Sequence, residues 1–79
     1  MLLSIVSINT KHEVKLVYLR RLRDLREDLD LKQADIANIL GIQQTVYSRY
    51  ERGFQNIPLD YLVYLADYYK VSVDYILGR

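Results

Sequence analysis

Gly41 is the residue that most restricts how this chain can fold. It follows a run in which Ala34, Ile36, Ala37, Ile39 and Leu40 recur at helical spacing, and only Ile42 and Gln43 separate it from a second run that Gly53 closes. A glycine just past an apolar-periodic segment sits where a helix C-terminus takes a left-handed residue. So short a connection leaves room for nothing but a tight turn. Two short helices, over about residues 32–40 and 44–52, are therefore expected to meet at a steep angle.

The other segments read as helices too. Leu19, Leu22 and Leu25, followed by Leu29, alternate with Arg20, Arg21, Arg23 and Arg26, which predicts an amphipathic helix over 17–28 that breaks at Asp30-Leu31. The loop from Phe54 to Ile57 leads to Pro58, placed in the first turn of a helix reaching Tyr69 with Leu62, Leu65, Ala66 and Tyr69 inward. Ser72 is suited to cap a last helix over 73–77, with Asp74 near its positive end. The fold expected is an all-α, five-helix bundle over 14–79. Residues 1–13 form an N-terminal extension with two readings open. It is a disordered arm or overlong start, or it is an ordered strand or arm, rich in Ile, Val and Leu, that pairs with a second subunit.

Composition excludes more than it selects. The 79 residues allow one domain with a modest core. With no cysteine there is neither disulfide nor thiolate site, and the single His12 makes no metal centre. No glycine-rich phosphate loop is present and the carboxylates are scattered, so no enzyme, cofactor or metal is expected. No apolar run approaches the roughly 18 residues of a membrane span, and the N-terminus lacks a basic start; a cytoplasmic protein is the default. The net charge is only +1, with nine Lys or Arg against seven Asp or Glu in residues 11–53. A nucleic-acid binder of this charge would bind non-specific DNA weakly and with strong salt dependence.

The two central helices suggest what the chain does. In a helix-turn-helix the first helix crosses the phosphate backbone and the second enters the major groove, about 12 Å wide. In the second helix Tyr47 and Tyr50 are expected inward, leaving Gln44, Thr45, Ser48 and Arg49 on the opposite side. These side chains suit base edges: Gln bridges adenine, Thr meets a thymine methyl, and Arg grips guanine through two bonds.

Residues 22–78 resemble the Cro/phage-repressor helix-turn-helix family. The residues that carry the likeness are Leu22-Arg-Asp-Leu-Arg26, Gln33-Ala-Asp-Ile-Ala37, Leu40-Gly-Ile42, Tyr50-Glu-Arg-Gly53, Pro58, Leu62, Leu65-Ala66, Tyr69 and Val71-Ser-Val-Asp-Tyr-Ile-Leu-Gly78. The resemblance implies double-stranded DNA as partner, base reading by Gln44, Thr45, Ser48 and Arg49, and phosphate contacts from Gln33, Lys32, Gln43, Arg52 and Asn56. It implies that Gln33 braces Gln44, and that Arg26 and Glu51 form an ion pair fixing the second helix. Asp30 stands where the family has Gly, and Lys32 and Gln43 where it has Ser or Thr. The last two are N-cap positions, where losing a good cap costs about 1 kcal/mol.

Such regulators read two half-sites about 34 Å apart as homodimers. The stripe Tyr61, Tyr64, Tyr68 is either partly buried or part of a dimer surface. The rival reading is an antitoxin-like or regulatory protein-interaction module on the same fold, favoured by the near-neutral charge and this stripe.

Overall fold

The computed structural model describes the backbone of residues 2–79 and the side chains of residues 14–79. It holds five helices: α1 Leu2–Asp28, α2 Gln33–Leu40, α3 Gln44–Glu51, α4 Leu59–Tyr69 and α5 Val73–Leu77. No strand occurs among the described residues. The first helix begins well before residue 17, the start expected for it. Tyr18 and Leu22 are both buried, and four residues apart they occupy one stripe, so the inward face continues upstream of the leucines. Residues 2–13 are helical backbone continuous with α1, not the strand or disordered arm expected there; the side chains of these residues, His12 included, and any pairing they make with a second subunit lie outside the described residues.

The helices surround one core. α1 packs against α3 and α5, α2 against α3, and α4 against α5. Leu22, Ile36, Tyr47, Leu65 and Ile76, one from each helix, are its fully buried large side chains. Arg21 ties α1 to α5 by donating to the Tyr75 carbonyl at 2.7 Å, with its guanidinium 4.2 Å above the Tyr75 ring. Tyr75 is 46% exposed: α5 buries Ile76 and leaves the Tyr75 ring under Arg21.

All five helices stop in the same way. At each C-terminus a left-handed residue follows the last turn, and two backbone N–H groups fold back onto helical carbonyls. After α2, Gly41 (φ 72°) donates to the Asn38 carbonyl at 3.1 Å and Ile42 to that of Ala37 at 2.9 Å. A Cβ at Gly41 would meet nothing within 4 Å, so the requirement for glycine here is conformational alone. Gly53 and Gly78 play this part after α3 and α5. After α1 and α4 it falls to Asp30 (φ 56°) and Lys70 (φ 58°), which lack glycine's freedom.

The N-termini differ from one another. Ser72 Oγ accepts from the Tyr75 N–H at 2.9 Å, a regular cap for α5. Pro58 lies just outside α4 as its N-cap, one residue before the first turn expected for it. Neither Lys32 nor Gln43 caps with its side chain. Lysine offers no acceptor, but Asp35 Oδ2 takes the Lys32 N–H at 2.8 Å, which supplies half of a capping box.

Candidate nucleic-acid interface

The site is built on α3, whose two faces have opposite characters. Its underside holds Tyr47, fully buried, with Tyr50 and Glu51. Glu51 receives Arg26 through two nitrogens, Nη2 to Oε1 at 2.8 Å and Nε to Oε2 at 2.9 Å, and Gln33 Nε2 at 3.1 Å. Arg26 Nη1 also donates to the Leu31 carbonyl at 2.9 Å. One guanidinium thus joins α1, the break after it and the end of α3. The pair is nearly dry, with side-chain exposures of 11% for Arg26 and 2% for Glu51.

Burial pushes the Glu51 carboxyl up, but the hydrogen bonds from Arg26 and Gln33 outweigh it and hold the group below the usual carboxylate range. The hydroxyls of Tyr47 and Tyr69 are buried without a hydrogen-bond partner among the described residues. Burial, with the nearby Glu51 charge, raises both phenols well above their ordinary value. They stay neutral at any physiological pH.

The opposite face of α3 points to solvent. Gln44, Thr45 and Arg49 are exposed and Ser48 is half-buried; with Arg52 and Phe54 they line one open groove. Of the candidate phosphate contacts, Lys32 and Gln43 are exposed immediately before α2 and α3, and Arg52 and Asn56 are exposed beyond the end of α3. The Tyr18 hydroxyl donates to Asn56 Oδ1 at 3.5 Å, which links that loop to α1. Gln33 is half-buried, and its hydrogen bond runs to Glu51 instead of Gln44. An ionised carboxylate is a stronger acceptor than an amide.

Two residues of this region escape a reading by sequence. Tyr18 lies upstream of the leucine pattern, yet it is buried. Phe54 stands 67% exposed, with the Arg52 guanidinium 4.7 Å from its ring centroid. The only sequence signal for Phe54 is an aromatic residue followed by two polar ones just after the turn at Gly53. Tyrosine 61 leaves the expected stripe, packing its ring 6.2 Å from that of Tyr50, whereas Tyr64 and Tyr68 remain exposed.

Among the described residues no group of three or more His, Cys, Asp or Glu is placed to hold a metal ion. Nor is any described helix long and apolar enough to cross a membrane.

Comparison with known proteins agrees with this geometry. The helix-turn-helix family model HTH_3 matches residues 22–76. An uncharacterized HTH-type transcriptional regulator of Bacillus subtilis, YobD, is 47% identical over 62 residues, which is 78% of this chain and 55% of the relative. The cryptic phage CTXphi transcriptional repressor RstR of Vibrio cholerae is 38% identical over 53 residues, covering 67% and 48%. The HTH-type transcriptional regulator ImmR of Bacillus subtilis is 35% identical over 60 residues, covering 76% and 47%. The chain spans about half the length of these curated relatives. No solved structure gives a significant match. A turn made by Gly41, an α3 anchored from below and a family match over most of the chain lead to one assignment: the chain belongs to the HTH_3 helix-turn-helix family, of the Cro/phage-repressor type.

Proposed function

We propose that this chain reads a specific double-stranded DNA sequence through α3 and represses transcription from it. The observation that carries this reading is the joint exposure of Gln44, Thr45 and Arg49 on one face of a helix whose other face is locked by Tyr47, Tyr50 and Glu51. A reading head must be held rigidly, because bidentate contacts to base edges depend on placement. In this proposal Gln44, Thr45, Ser48 and Arg49 contact bases, and Lys32, Gln43, Arg52 and Asn56 contact phosphates. Gln33 joins them as a phosphate contact and as the brace of Gln44, its amide nitrogen exchanging Glu51 for one of these partners. Repression is taken from RstR, which is named as a repressor. One domain of this size reads few bases, so the functional unit is proposed to be a homodimer on two half-sites. The exposed Leu59, Val63, Tyr64 and Tyr68 of α4 also favour a protein contact.

Selection of duplexes from a random pool, followed by titration of the winner at rising salt, tests the reading. The expected result is one enriched sequence with two related half-sites and an affinity that falls steeply with salt. Arg49→Ala is expected to weaken binding by about 1–3 kcal/mol and to relax preference at one base position. Failure to bind any duplex at low salt would replace this reading with that of a protein-interaction module.

A further inference from the structure

We infer that Phe54 is a DNA-contacting residue that also positions Arg52: its ring packs on a deoxyribose of the backbone while the guanidinium it holds takes the adjoining phosphate. The inference rests on the DNA-reading proposal and adds a residue to it. Every other side chain lining the groove, from Gln44 to Arg52, is polar. Phe54 alone is apolar there, and at 67% exposure it contributes little to the core. An aromatic ring left in water beside polar groups gains most by burial against a partner.

The loop holds Phe54 in a fixed place. Gly53 turns the chain with φ 83°, and a Cβ there would come within 2.9 Å of Leu19 Cδ1, so the turn is seated closely on α1. The Phe54 N–H then donates to the Arg49 carbonyl at 2.9 Å. This anchors the Phe54 backbone to the last turn of α3, at the end of the groove beyond the candidate base readers. Its contact is therefore with sugar and phosphate rather than with a base. The Arg52 guanidinium, 4.7 Å from the ring centroid, is oriented by the ring's negative face and keeps its N–H edge free. A flexible arginine fixed in this way loses less freedom when it meets a phosphate.

The test is a double-mutant cycle on the duplex selected by the wild-type chain, repeated on a duplex of scrambled sequence. Phe54→Ala is expected to weaken binding about tenfold on both duplexes. In an Arg52→Ala background the same change should cost only about threefold, the remainder being the ring–sugar contact. Phe54→Tyr, which keeps the ring, should bind like the wild type. Circular dichroism and thermal melting should show all these variants folded, since Phe54 is exposed. Equal losses in both backgrounds, a loss confined to one base pair, or no loss would each overturn the inference while leaving DNA reading intact. A wild-type chain that binds no duplex overturns both.

Discussion

Glu51 and Arg52 are neighbours in the chain, yet they lie in two different environments. Glu51 faces inward, where Arg26 and Gln33 surround its carboxylate and its side chain is 2% exposed. Arg52 faces outward beside Phe54 and has no ion pair among the described residues. One step of about 100° around a helix separates them. A charge withdrawn from water must be matched in place, and once matched it fixes geometry. A charge left in water forms no such commitment and remains available to a partner. The end of α3 thus joins scaffold and surface within two residues. Arg26 and Arg52 show the same contrast with one residue type.

The contrast can be broken most severely from its buried side. Arg26→Ala strands Glu51 without its main partner and is expected to destabilise the fold by about 3–5 kcal/mol, measured by urea denaturation. An effect below about 1 kcal/mol would mean the pair is wetter than it looks. Acid should attack the same point. The Glu51 carboxyl is held below its ordinary value in the folded chain, so the unfolded chain binds the extra proton in acid. Its contribution is complete above the ordinary carboxylate value, about pH 4.3, and is lost as pH falls through the folded value. Thermal melting below that range should therefore fall more steeply with pH for the wild type than for Glu51→Gln. Parallel curves would remove Glu51 from the account of acid stability.

Smaller effects sharpen the comparison. Gly41→Ala adds no clash, so its expected cost is the left-handed penalty alone, about 1–2 kcal/mol in melting experiments. Lys70→Gly relieves the same kind of penalty at the end of α4 and should stabilise by up to about 1 kcal/mol. Arg52→Ala should leave stability within about 0.5 kcal/mol while lowering the salt slope of DNA binding by about one. A large loss of stability from that change would place Arg52 with the scaffold.

Much of this organisation was legible in the residues. The three glycines mark the ends of α2, α3 and α5, because left-handed positions favour glycine strongly enough to leave a trace in composition. The ends of α1 and α4 fall at Asp28 and Tyr69 as the apolar spacing predicts, although Asp30 and Lys70 lack glycine's freedom. There the tertiary fold imposes a conformation that the residue itself disfavours. The inward face of α3 followed from the spacing of Tyr47 and Tyr50, whereas the burial of Tyr18 lay beyond the leucine pattern and the exposure of Tyr75 ran against its apolar character. Gln33 could be placed at the start of α2 from its motif, but its bond to Glu51 joins residues 18 apart and depends on how α2 meets α3.

By itself, then, the sequence determined the number and order of the helices from 14 onward, the turn at Gly41 and which face of α3 is polar. These properties are local, set by periodicity and by backbone preferences within a few residues. Only the tertiary structure decided that Gln33 would join Arg26 on Glu51, that Tyr61 would turn in against Tyr50 while Tyr64 stays out, and that Phe54 would stand beneath Arg52 at the edge of the groove. Each depends on the angle between packed helices or on the path of a loop, which no short stretch of chain encodes alone.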